Sequence, residues 1–118
     1  MSTRAEESDR IVLLQGTLDV LILRMLLSGK QHGQGVARAI QKNSGDVLLV
    51  DHGSLYPALQ RLEDRGWIGA EWGVSSNNRR ARFYELTTTG KDQLVRKKNE
   101  WQRLVEAMGR VLAIEGTT

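Results

Sequence analysis

The chain has 118 residues, 40% of them hydrophobic, which is enough for one domain with a single modest core. It has no cysteine, so a disulfide framework and a thiolate metal site are excluded, and its two histidines, His32 and His52, would at most complete a mixed site with carboxylates; no metal and no cofactor is expected. The net charge of +3 is unevenly spread: residues 75–98 carry seven basic and two acidic side chains, a net +5, whereas residues 1–28, 29–74 and 99–118 contribute −1, 0 and −1. A local excess of this kind points to a polyanionic partner, although a charged run is also what a solvated face looks like.

The opening MSTRAEESDR is polar, is expected to fray, and has neither the basic start nor the apolar run of a signal peptide, so a cytoplasmic location is expected. Ile11 to Leu27 is apolar but interrupted by Gln15, Gly16, Asp19 and Arg24, which argues for a buried helix and against a membrane span. That helix is expected from about Thr17, its candidate cap, to Leu27. Leu18, Leu21, Ile22 and Met25, with Val20, Leu23 and Leu26, make it apolar around most of its circumference, as in a central helix. Leu13 and Leu14 either extend its packing or line a contact with a second copy.

A turn at Ser28 to Lys30 leads to a second helix, Gly33 to Lys42, with Val36, Ala37 and Ile40 at core spacing. His32, with no carboxylate or nucleophile near it in sequence, reads as a turn or capping residue. Asn43 to Asp46 end this helix, and Val47 to Val50 is a candidate for a small strand added to a later hairpin.

The stretch Asp51 to Trp67, DHGSLYPALQRLEDRGW, then organises the rest. Leu55, Leu59 and Leu62 fall on one helical face, and Tyr56, Gln60, Arg61 and Asp64 form a polar face opposite, of the kind a recognition helix offers to a groove. Pro57 suits a first turn, so the helix is expected to begin near Gly53 or Ser54, and Gly66 stops it. His52 is expected to be exposed ahead of it. From Ile68 the period changes to two: Ile68, Ala70, Trp72 and Val74 alternate with Gly69, Glu71 and Gly73. Ser75 to Asn78 turn the chain, and Arg79 to Leu86 return it, with Arg82, Tyr84 and Leu86 on one face. Trp67 and Trp72 are expected in or near the core. Arg79, Arg80 and Arg82 lie close to the tip, where a wing meets a phosphate backbone or minor groove. The elements describe a mainly α fold with a small β wing, a winged helix-turn-helix over residues 15–90 following an extension over residues 1–14.

Thr87 or Thr88 caps the last helix, which runs from Lys91 to about Ala113. Leu94, Trp101, Leu104, Val105, Met108, Val111 and Leu112 make a stripe on a rod roughly 35 Å long, more than so small a domain needs for itself. Dimerisation through residues 91–113 is the expected use, and folding back onto its own domain is the alternative. Residues 114–118 are expected to be a disordered tail.

With these residues located, the chain resembles the PadR family of bacterial transcriptional regulators. The resemblance rests on QGTLDVLILRMLLSGKQHGQGVARAI from Gln15 to Ile40, HGSLYPALQRLEDRGWI from His52 to Ile68, and NNRRARFYELTTTG from Asn77 to Gly90. It implies a homodimeric winged-helix DNA-binding regulator, usually a repressor, of the compact kind with a single C-terminal helix. It further implies DNA-facing positions at Ser54, Tyr56, Pro57, Gln60 and Arg61 and in the wing at Arg79 and Arg80. A planar aromatic effector at the dimer centre is also implied, near Trp101, which otherwise serves as a plain dimer-core residue. Gln34 departs from the family, where many members have an aromatic residue, and this bears on packing around the second helix.

The expected mechanism is steric: the dimer lays two recognition helices in successive major grooves of an inverted-repeat operator in double-stranded DNA and occludes a promoter. Two rivals remain. One is a winged-helix protein–protein interaction module, which would have no need of a basic wing. The other is an enzyme built on Ser54 and His52, which lack an orienting third group.

Overall fold

The computed structural model describes residues 11–12 and 15–114 of the chain. The expectations for the first ten residues, for Leu13 and Leu14 and for residues 115–118 lie outside them. The elements in order are β1 (Ile11–Val12), α1 (Gln15–Leu27), β2 (Gln31–His32), α2 (Gly33–Asn43), β3 (Leu48–Leu49), α3 (His52–Asp64), β4 (Ile68–Val74), β5 (Arg80–Leu86) and α4 (Thr88–Leu112). This is a mainly helical fold with a small antiparallel sheet ordered β2-β5-β4.

Helix α1 is the centre of the molecule because its apolar residues point in nearly every direction. Leu18, Ile22, Leu23 and Leu26 are buried, Val20, Leu21 and Met25 are half-buried against them, and the helix touches α2, α3, β5 and α4. It starts at Gln15, so Thr17 lies inside its first turn and does not cap it. Val36, Ala37 and Ile40 of α2, Leu55, Ala58, Leu59 and Leu62 of α3, and Ile68, Tyr84 and Leu86 of the sheet close the core around it.

The expectation for Val47 to Val50 is corrected. Leu48–Leu49 forms a strand, but it pairs in parallel with β1, Ile11 beside Leu48 and Val12 beside Leu49. The strand that extends the hairpin is β2, with Gln31 beside Tyr84 and His32 beside Phe83. A two-residue strand held through its backbone alone leaves no alternation in the sequence.

The wing hairpin forms as expected about its Ser75 to Asn78 turn, and its register runs from Ile68 opposite Leu86 to Val74 opposite Arg80. Its turn is closed by the Ser75 N–H donating to the Arg79 carbonyl at 2.8 Å and the Asn78 N–H donating to that of Ser75 at 2.9 Å. Asn78 takes a φ of 60°, a left-handed conformation in which asparagine is enriched. Burial, however, fades along β4. Ile68 is buried, but Trp72 is 59% and Val74 66% exposed. Trp72 is therefore not a core residue: the hairpin outruns the helices that would cover its inner face. Trp67, packed against the core between Arg65 and Lys97, is where the sequence placed it.

Helix α4 begins with Thr87 as its cap, whose Oγ1 accepts from the Gly90 N–H at 3.0 Å and donates to the Gly66 carbonyl at 2.7 Å. Its first turn lies so close to the end of α3 that a Cβ on Gly90 would run into the Trp67 carbonyl oxygen. Gly90→Ala is therefore expected to destabilise the chain by about 1–3 kcal/mol, the ordinary cost of overpacking, read as a lower urea midpoint. The helix has 25 residues, about 38 Å. Leu94 is buried in this chain's own core and leaves the dimer stripe, whereas Trp101, Leu104, Val105, Met108, Val111 and Leu112 are all exposed.

Candidate nucleic-acid interface

Helix α3 starts earlier than the sequence suggested. Asp51 is its cap, its Oδ1 accepting from the Ser54 N–H at 2.8 Å, and His52 is its first residue. Pro57 accordingly sits in the second turn, where it has no N–H for the Gly53 carbonyl. Both residues are exposed, so water can serve that carbonyl. The helix ends as expected at Gly66, with φ of 76°, where the Gly66 N–H reaches the Glu63 carbonyl at 2.9 Å and the Trp67 N–H reaches that of Leu62 at 3.0 Å.

With Leu55, Ala58, Leu59 and Leu62 turned inward, Tyr56, Pro57, Gln60 and Asp64 are left facing out. Ser54 is half-buried. The Tyr56 ring fills the space beside Gly33, where a Cβ would sit 3.0 Å from its Cε1. Its hydroxyl stays at the surface and accepts from Gln34 Nε2 at 3.4 Å; Gln34 Nε2 also lies 3.0 Å from His52 Nε2. His32 caps α2, its Nδ1 accepting from the Gly35 N–H at 3.0 Å. Ser54 Oγ faces Asp51 Oδ2 at 3.4 Å, while His52 faces Gln34, so Ser54 and His52 form no nucleophile–base pair.

The polar residues of α3 are held in three ways. Gln60 Nε2 donates along the helix to Asp64 Oδ1 at 2.8 Å. The Arg61 guanidinium bonds Asp19 of α1 at 2.7 Å, a carboxylate buried under the helices. Glu63 takes the Arg82 guanidinium at 2.9 Å, tying the wing to α3. Arg61 and Arg82 are thus engaged within the chain. Arg79 and Arg80 at the wing tip are exposed and make no ion pair among the described residues; Arg80 lies over the Trp72 ring at 4.7 Å. On the outer face of the sheet Lys30 pairs with Glu71 and, at 3.7 Å, with Glu85, and its ammonium pKa is raised, chiefly by the hydrogen bond it donates to Glu71.

Between α3 and the wing lies a cleft of about 450 Å³ whose walls include Gln34, Tyr56, Gln60, Trp72 and Arg80. Sequence reasoning had assigned neither Gln34 nor Trp72 to this region. The available signal for Trp72 was its place near the tip end of β4, on the face shared with Arg80 and Arg82. A second groove, of about 360 Å³, runs between α1 and α4 past Gly16, Thr17, Val20, Lys97, Trp101 and Leu104. Among the described residues there is no cluster of metal-ligating side chains, and no helix is long and apolar enough to cross a membrane.

Known proteins share this fold. A PadR family transcription regulator from hypervirulent Clostridium difficile R20291 superposes with a TM-score of 0.69 and 31% identity, covering 80% of this chain and 97% of its own. A PadR-like transcriptional regulator from Bacillus cereus strain ATCC 14579 gives a TM-score of 0.70 at 25% identity, over 84% and 94%. In sequence, the negative transcriptional regulator PadR of Bacillus subtilis (strain 168) is 27% identical over 77 residues, 65% of this chain and 42% of that protein. The family model described as transcriptional regulator PadR-like matches residues 22–96, well over half the length, and the chain belongs to this family of non-enzymatic transcriptional regulators.

Proposed function

We propose that the chain is a homodimeric, sequence-specific DNA-binding repressor that closes a promoter by occupying it. The observation that carries this reading is the pairing of an exposed polar face on α3, Tyr56, Pro57 and Gln60 with the half-buried Ser54, with a wing tip whose Arg79 and Arg80 are exposed and make no ion pair among the described residues. Within residues 15–90 the recognition helix would enter the major groove of double-stranded DNA, and residues 91–113 would join two copies. Two-fold symmetry then matches an inverted-repeat operator with half-sites about 34 Å apart. Work on DNA places the protein in the cytoplasm. The groove beside Trp101 is the seat for a small planar aromatic effector, which would release the operator by favouring one dimer geometry over another.

Fluorescence anisotropy with labelled DNA from the protein's own upstream region, against scrambled DNA at two salt concentrations, tests this. Tight binding of two chains per site supports it; equal weak binding to both DNAs with little salt dependence favours the interaction module. Two substitutions separate the roles. Arg80→Ala should weaken binding to every sequence and reduce the log–log salt slope by about 0.9, the share of one phosphate. Gln60→Ala should leave that slope alone and cost about 1–3 kcal/mol of discrimination between operator and scrambled DNA. Both assignments fail if the two variants merely lower the unfolding midpoint.

A further inference from the structure

The cleft between α3 and the wing has a composition that neither core packing nor base reading requires. Its aromatic wall is Trp72, 59% exposed on the inner face of β4, with the Arg80 guanidinium 4.7 Å from its ring. Facing it are the Tyr56 hydroxyl and the Gln34 amide, both hydrogen-bonding groups at the surface. Among the described residues no carboxylate lines the cleft; of the acids on α3, Glu63 is paired with Arg82 and Asp64 accepts from Gln60.

In a duplex, the major groove and the neighbouring minor groove are separated by one sugar-phosphate strand. A recognition helix in the first and a wing at the second must therefore straddle that strand. Its chemistry alternates between an anionic phosphate and a deoxyribose whose carbon face is apolar. A cleft lined by Arg80, by an Arg82 already paired with Glu63, by neutral hydrogen-bonding groups and by an exposed indole, with no acidic group in its lining, is complementary to that alternation.

We propose that the cleft seats the strand between the two grooves, with Trp72 packed on a deoxyribose and Tyr56 and Arg80 on the phosphates beside it. The proposal rests on the DNA-binding reading above. Trp72 then supplies affinity without reading a base and without releasing a counterion. This distinguishes it from Gln60, which reads sequence, and from Arg80, which carries salt dependence.

The test uses the full chain and the same two DNAs. Trp72→Thr removes the ring while keeping a residue that favours strands, and Trp72→Phe keeps an aromatic face. Trp72→Thr is expected to lose roughly tenfold in affinity on operator and scrambled DNA alike, with an unchanged salt slope and an unchanged thermal midpoint. Trp72→Phe should stay within about threefold of the parent protein. Wild-type affinity for Trp72→Thr, a loss confined to the operator, or an equal loss in Trp72→Phe would overturn the proposal. If Trp72→Thr is silent while Arg80→Ala is weakened, this inference falls and the DNA-binding reading stands. If the parent protein binds neither DNA, both fall.

Discussion

Leu104→Asp is expected to turn the proposed dimer into a monomer. Leu94, in the opening turns of α4, is buried in the chain's own core, whereas Trp101, Leu104, Val105, Met108, Val111 and Leu112 are between 39% and 85% exposed. They recur at steps of three, one, three, three and one, which keeps them on one side of the helix. Six apolar side chains in a row on a rod this long make a surface that water disfavours and a second copy can cover. Leu104 lies near the middle of the row and also lines the groove against α1. Fully burying a leucine is worth about 1.5–3 kcal/mol. Two-fold symmetry counts every substitution twice, and each new carboxylate would also have to be desolvated. Together these should raise the dimer dissociation constant by roughly three orders of magnitude or more, each factor of ten being about 1.4 kcal/mol. Sedimentation at micromolar concentration reads this directly, and operator affinity should fall with it. A Leu104→Asp protein that sediments as the parent does would remove α4 from the interface.

The helices of this fold are legible in the sequence because their signals are local. The spacing of Leu55, Leu59 and Leu62, the stop at Gly66, and the caps at His32 and Thr87 each involve residues within a turn or two of one another. What was not legible depends on distance. Alternation along β4 told which way Trp72 faces but not that the core ends before it. The stripe on α4 grouped Leu94 with Trp101 because apolarity does not say which copy covers a residue. The wheel of α3 put Arg61 on its polar face, and nothing local reveals that its partner, Asp19, lies 42 residues earlier in the chain. The helix and the wing were both legible as elements, while the cleft they enclose exists only once β5 has brought Arg80 back beside Trp72.

That long-range pair sets the second large effect. Asp19 is 4% exposed, and its carboxylate meets the Arg61 guanidinium at 2.7 Å, while Arg61 Nε is buried with no hydrogen-bond partner among the described residues. Removing one member of a buried pair leaves the other as an uncompensated charge, which typically costs about 3–5 kcal/mol. For a domain whose total stability is about 5–15 kcal/mol, Asp19→Ala should therefore lower the unfolding midpoint severely. Asp19→Asn keeps an acceptor for one guanidinium N–H and should cost less. Replacing both members, Asp19→Leu with Arg61→Met, removes the charge together with its partner and should return most of the lost stability. The double variant also decides what Arg61 does for DNA. If its role is to fix α3 against α1, a stable double variant should bind the operator nearly as the parent does. If its guanidinium leaves Asp19 to meet a phosphate, the same stable protein should bind all DNA more weakly and lose about 0.9 from its salt slope. The geometry of the pair, with the acid buried and the bond short, favours the first result.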